Sequence, residues 1–222
     1  TGVQTCALPI LHRGTVLDNP AIVGVGNINT WNNNHHGIIE YEGVWYIFYH
    51  DRRVSNSTYR RNLAVEILHH NADGSIRRIT HVTHDGPPQI RNFNPFQTVR
   101  ATTINRQGGI SVVAGSESRT MVTNINNNDW IRLLGVDFDR GAARFEARVA
   151  SVSTGGSIEI RRGSRTGPIV GTQVVPATGG WNTWQTVTTQ VTGLSGVHNL
   201  YFVFSGAGTG NLFNWASWQF HP

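Results

Sequence analysis

Two histidines stand side by side in "NNNHHGIIEYEGVWYIFYHDR", Asn32 to Arg52, where an imidazole could ligate a metal or move a proton. A closed metal site takes about four protein ligands, and no Asp, Glu or Cys lies at ligand spacing from the pair. His36 therefore reads as a loop or core residue, and His35 as a single candidate ligand. No Ser or Cys motif accompanies them, so neither reads as the base of a nucleophile. Acids that could do proton chemistry nearby are Glu40, Glu42, Asp51, Glu66 and Asp73. Each falls in or beside a hairpin pattern, where a surface role is expected. His69, His70, His81 and His84 flank turns and read as solvated.

The elements that must carry these residues are β in pattern. "GIIEY" and "VWYIFYH" flank Glu42-Gly43, and "LAVEIL" runs through "NADG" into "SIRRIT". Both are hairpin signatures, because Gly43 and Gly74 can take the positive φ of a tight turn. Two hairpins predict one four-stranded sheet, which has no second layer to bury its apolar face. At "THDGPPQIRNFNPFQTV", Thr83 to Val99, glycine and prolines interrupt any regular element, so residues 86–92 read as a linker. Beyond it, "DWIRLLGVDF", "RFEARVAS", "GSIEIRRG", "WQTVTTQVTG" and "HNLYFVFSG" recur between Gly-rich turns. Phe145, Ala147 and Val149 alternate with Arg144, Glu146 and Arg148, the period of a half-buried strand. Helical periodicity is nearly absent. The expected fold is all-β: an antiparallel β-sandwich, of jelly-roll type, over residues 93–222.

Composition narrows the partners. The 222 residues are 38% hydrophobic and 14% charged, and no run of eighteen apolar residues occurs. No membrane partner is expected. All 18 basic residues are Arg, giving a formal charge of +5. They are scattered as singles and pairs with acids such as Glu146 and Glu159 between them, so no nucleic-acid partner is expected. Residues Thr1 to Ile10, "TGVQTCALPI", translate a sequencing-adapter oligonucleotide codon for codon, ACT-GGA-GTT-CAG-ACG-TGT-GCT-CTT-CCG-ATC. That segment is set aside as an artefact, which removes Cys6, the only cysteine, and implies a chain that continues upstream of Leu11.

Two families are resembled at this point. "TGGWNTW" (Thr178 to Trp184), Gly196 to Gly206 and "NLFNWASWQF" (Asn211 to Phe220) resemble a carbohydrate-binding module of family 6, over about Phe93 to Pro222. Asn29 to Val82 resembles the last part of the catalytic domain of glycoside hydrolase family 43, a five-bladed β-propeller often paired with such a module. The resemblance implies that residues 11–85 are the C-terminal remnant of that propeller, about one blade. It implies that His35 occupies the position of an axial histidine facing a metal or an ordered water, here vestigial. Glycosidic hydrolysis needs two placed carboxyl groups. In the resembled hydrolase these lie on earlier blades, so this chain is expected to lack catalysis.

For the module, a flat aromatic face stacks on the apolar face of a pyranose while amides pair with its hydroxyls. Trp181 follows Gly179-Gly180 outside any alternation and is expected to be exposed, whereas Trp184 begins a strand and is expected in the core. By resemblance Trp181 stacks on the sugar and Asn214 in "LFNW" hydrogen-bonds it. The Tyr that would oppose Trp181 falls on Asn124, which removes one aromatic wall and predicts weak affinity. Family members commonly hold calcium with a Glu and an Asp; these positions are Thr102 and Ala216 here, so no cofactor is expected.

The leading expectation is a module that binds xylan- or arabinoxylan-like plant cell-wall polysaccharide, attached to a truncated hydrolase, secreted and monomeric. The alternative is a full-length parent that is an active arabinofuranosidase or xylosidase. A third reading is a basic domain for acidic polymers, which strong salt dependence would reveal.

Overall fold

The computed structural model describes residues 12–18, 35–52, 61–152 and 155–222. The chain divides into two compact units, Thr1–Pro87 and Pro88–Pro222. Every strand pair is antiparallel, and the described residues contain no helix, so none is long and apolar enough to cross a membrane.

The first unit holds a three-stranded sheet in the order β1 (His36–Tyr41), β2 (Val44–Asp51), β3 (Asn62–Leu68). Glu42 and Gly43 link the first two with φ of 51° and 78°, the double positive φ of a two-residue hairpin whose twist matches its strands. The expected fourth strand is reduced to an isolated bridge between His70 and Ile76. The turn between them is held by local bonds: Asp73 accepts from the Ser75 amide and hydroxyl, and Asn71 Nδ2 donates to Ser75 Oγ. The Ser75 hydroxyl, then its amide, hold the Asp73 carboxyl below its ordinary value. Arg77 then donates its amide back to the His69 carbonyl and Ile79 pairs with Leu17, which takes "SIRRIT" away from β3.

The expectation of surface acids fails at two positions. Asp51 and Glu66 are buried, and Glu66 accepts from the Thr83 amide, the Thr83 hydroxyl and the Tyr49 hydroxyl. Three donors satisfy the carboxylate and offset the cost of removing it from water. By contrast, β1 is exposed throughout, and Ile38, Ile39, Tyr41, Trp45 and Leu63 present apolar side chains to solvent.

The second unit is a β-sandwich. After the two-residue β4 (Val99–Arg100) come β5 (Arg106–Gly108), β6 (Ser111–Ala114), β7 (Thr120–Thr123), β8 (Trp130–Asp137), β9 (Arg144–Ala150) and β10 (Gly156–Arg162). β11 (Ile169–Val175), β12 (Gln185–Gln190), β13 (Val197–Ser205) and β14 (Asn214–His221) complete it. One sheet runs β11-β10-β13-β8-β5; the other runs β12-β9-β14-β7-β6, with β4 on β14. All five strands expected after the linker form, and Phe145, Ala147 and Val149 are fully buried as their alternation requires.

Aromatic rings join the layers. Phe202 of β13 meets Trp215 at 4.9 Å and Trp218 at 5.4 Å, both on β14 of the opposite sheet. Phe145 of β9 meets Phe202 at 5.6 Å, and Phe204 meets Trp215 at 5.8 Å. Trp215 and Trp218 are three residues apart, a spacing that an unbroken strand would split between faces. A bulge between Trp215 and Ser217 absorbs the odd residue, Ala216, and turns both indoles inward. Trp184 is outside this core: it lies half-buried just before β12 and its indole N–H donates to Ser116 Oγ. Its expected place in the core is therefore corrected.

Truncating the central ring should leave a large cavity. Phe202→Ala should cost about 3–5 kcal/mol in denaturant unfolding, while Trp184→Ala should cost about 1 kcal/mol or less; equal losses would contradict this division.

Candidate functional site

Three loops meet at one end of the sandwich. The first, Asn124 to Asp129, joins β7 to β8. Its anchor is Ile125, fully buried, whose amide donates to Asn211 Oδ1 and whose carbonyl accepts from Leu212 N–H. Around the anchor the chain turns sharply, with φ of 53° at Asn124 and 68° at Asn128. Asn tolerates the left-handed region better than most side chains. The Asp129 carboxylate accepts from the Asn126 amide at 2.8 Å, and Asn126 Nδ2 donates to the Asn124 carbonyl at 2.8 Å. A Cβ on Gly109 would lie 1.7 Å from Asp129 Oδ1, so only glycine leaves room for that carboxylate.

The second loop carries Trp181. Thr178 and Gly179 both donate their amides to the Ser151 carbonyl, and Thr178 Oγ1 accepts from Ser151 N–H at 2.8 Å. Gly179 takes φ 90°, and a Cβ on Gly180 would lie 2.7 Å from Thr183 Oγ1. The two glycines thus allow a tight turn that presents Trp181 half-exposed, while Asn182 Oδ1 accepts from Ser116 Oγ at 2.9 Å.

The third loop ends at Asn214, which is 3% exposed. Its Oδ1 accepts from Thr123 Oγ1 at 2.7 Å and from Asn211 Nδ2 at 3.0 Å, and its Nδ2 donates to the Trp181 carbonyl at 2.9 Å. One amide therefore bridges the Asn124 side and the Trp181 side, and one N–H of Asn214 has no bond in that set. The loop end thus carries one half-exposed aromatic ring, Trp181, and the exposed residues Asn124, whose Nδ2 donates to the Gly109 carbonyl, and Asn127, whose Oδ1 accepts from the Gly206 amide.

The sequence of this unit matches a known family. The model for carbohydrate binding module (family 6) matches residues 100–222. The chain belongs to this family. An arabinoxylan arabinofuranohydrolase of Paenibacillus polymyxa is 40% identical over 226 residues, covering 96% of this chain and 34% of the relative. A crystal structure of a glycoside hydrolase family 43 arabinoxylan arabinofuranohydrolase from Bacillus subtilis, in complex with cellotetraose, superposes with a TM-score of 0.79 at 41% identity, covering 96% of this chain and 45% of that one. A family 6 module from Clostridium cellulolyticum in complex with xylose gives a TM-score of 0.56 at 37% identity over 58% of this chain and 99% of that one. The chain thus spans between a third and a half of the length of the two hydrolases.

The calcium positions of family 6 do not fit a cation. Thr102 Oγ1 bonds Thr120 Oγ1 at 2.9 Å, and Ala216 is buried and offers no side-chain oxygen. Its carbonyl accepts from Ala101 N–H. Hard cations require several oxygens, carboxylates foremost. Among the described residues no group of three or more His, Cys, Asp or Glu could hold a metal. His35 is exposed just before β1, its ring stacked 5.3 Å from that of His50, and His36 opens β1, exposed rather than in a loop or core.

Sequence reasoning missed the outer face of the five-stranded sheet. Trp130 lies there against Gly108, where a Cβ would come within 2.4 Å of its Nε1, and Tyr201 sits 6.0 Å away. Glu159 and Arg161 share this face, paired at 2.7 Å, beside a hollow of about 310 Å³ lined by Arg165, Thr166, Val203 and Ser205. The signal was present in the alternation of "DWIRLLG", which turns Trp130 and Arg132 away from buried Ile131 and Leu133.

At Asn124 the left-handed backbone suits the Asn present and would oppose an aromatic side chain. Replacing it by Tyr would add an aromatic wall at φ 53°, a region that costs an ordinary residue about 1–2 kcal/mol. Asn124→Tyr should lower stability by roughly that amount, while Asn124→Gly should leave the melting temperature close to the parent's; the reverse order would contradict the turn geometry.

Proposed function

We propose that this family 6 module binds xylan- or arabinoxylan-type plant cell-wall polysaccharide at the loop end, with Trp181 as stacking platform, Asn124 as a polar group on the rim and the buried Asn214 behind them, its carbohydrate role exerted through the Trp181 carbonyl. The observation that carries this is the half-exposed Trp181, held on a glycine turn by the buried Asn214. Relatives acting on arabinoxylan, and the xylose complex of the Clostridium module, support the sugar class. With a single aromatic wall the affinity is modest. Residues 11–85 are read as the C-terminal remnant of a family 43 propeller, about one blade, joined by residues 86–92 to a module starting at Phe93. Its exposed apolar strands suit a surface that further blades cover. The polypeptide acts outside the cell as a monomer, without nucleic acid and without calcium. Hydrolysis belongs to the full-length parent.

A second sugar surface is favoured by one observation, the flat seating of Trp130 over Gly108 on an open sheet face. A ring so placed can stack on a pyranose, with Glu159 near enough in the sheet to take its hydroxyls.

Titration calorimetry of the full chain against soluble xylans and xylo-oligosaccharides tests the assignment. Stacking contributes about 1–3 kcal/mol by analogy with bases on aromatic rings, so Trp181→Ala should weaken binding roughly five- to more than a hundredfold. No reducing sugar should appear during the titration. If Trp181→Ala binds like the parent and Trp130→Ala does not, the sheet face is the principal site. Loss in neither variant would overturn both readings.

Millimolar calcium should leave the melting temperature unchanged, because a ligand stabilises only through a native-state site. A rise reversed by a chelator would show that other oxygens replace those missing at Thr102 and Ala216.

A further inference from the structure

The polar side chains of the loop end divide into those on the rim and those behind it. Asn124 and Asn127 lie on the rim, whereas Asn214 is 3% exposed behind Trp181. Both lone pairs of Asn214 Oδ1 are taken by Thr123 Oγ1 and Asn211 Nδ2, and its Nδ2 holds the Trp181 carbonyl. Asn211 is fixed in turn by the Ile125 amide, and Ile125 is core. A continuous set of bonds therefore runs from the core, through two asparagines, to the main chain of the stacking residue.

Ser151 ties the turn at its base and Asn214 ties it at Trp181 itself. Gly179 has φ 90° and open space around the position of a Cβ, so local packing does not restrict it. A glycine pair loses more conformational freedom on ordering than any other dipeptide. If the order were supplied only by the sugar, its cost would be subtracted from affinity; supplied beforehand by Asn214, it is not.

We infer that Thr123, Asn211 and Asn214 are positioning residues for sugar binding: they fix the Trp181 carbonyl and hold the indole at the loop end before the ligand arrives. The inference rests on Trp181 as the platform and adds residues that set affinity through it. Thr123 is the sharpest probe, because its hydroxyl donates to the buried Asn214. Asn214→Asp is complementary: the carboxylate can still accept from Thr123 and Asn211 but cannot donate to the Trp181 carbonyl.

The test is calorimetric titration of the full chain with xylotetraose, together with acrylamide quenching of tryptophan fluorescence without sugar. Thr123→Val is expected to weaken binding roughly three- to tenfold, the scale of one hydrogen bond, with Thr123→Ser restoring it. Asn214→Asp should weaken it at least as much. Quenching should increase in Thr123→Val, and the increase should vanish when Trp181→Phe is added, a signature that general destabilisation would not produce. Should Thr123→Val fail to fold, Asn211→Ala at a half-buried position takes its place in the same comparison. If Trp181→Ala abolishes binding while folded Thr123→Val and Asn214→Asp bind and quench like the parent, the positioning role is wrong and the platform stands. If Trp181→Ala binds like the parent, or the parent binds neither xylotetraose nor cellotetraose, the platform itself is wrong and the inference falls with it.

Discussion

The second unit depends on the aromatic contact between β13 and β14. Phe202 is in contact with both Trp215 and Trp218, and Phe145 touches Phe202, Trp218 and Phe220, so one cluster of rings joins the facing sheets. Burial of rings this large dominates the stabilisation of a small sandwich, and edge-to-face pairs add specificity of orientation. The bulge at Ala216 serves the same contact, because without it one of the two tryptophans would point to solvent. Asn214 opens β14 directly before Trp215. The buried amide at the loop end is therefore seated directly beside the core.

A buried amide is stabilising only when its bonds are complete. Asn214 has three partners, one in its own loop and two from distant segments at Thr123 and Trp181, which makes it a structural knot of the loop end. The loop end that it joins carries an indole on a glycine turn and, separately, a run of amides arranged by Asp129 and by left-handed backbone at Asn124 and Asn128.

The first unit shows the opposite balance. Among the described residues it buries Tyr46, Ile47, Tyr49, Ala64, Leu68 and Val82, and it leaves β1 exposed along its length. Yet Asp51 and Glu66 are buried, with Glu66 taking donors from Tyr49 and Thr83. Acids inside and apolar side chains on the outer strand are the reverse of the second unit's pattern.

What the sequence by itself determined follows from local rules. Alternation placed β9 and β10, Glu42-Gly43 and Gly74 marked turns, and "TGGW" marked a turn whose tryptophan, expected exposed, is half-exposed, because strand period, positive φ and glycine turns depend on neighbours along the chain. Short strands such as β5, β6 and β7 escaped, since three or four residues carry too little pattern to stand apart from loops. Only the tertiary structure decided that Trp184 leaves the core for Ser116, that Glu66 is buried against Thr83, and that Trp130 shares a face with Tyr201 and Glu159. It also decided that Asn214 binds Trp181 from behind. Those facts join residues 17 to 71 positions apart, or strands out of sequence order, and depend on which surfaces meet when the chain folds.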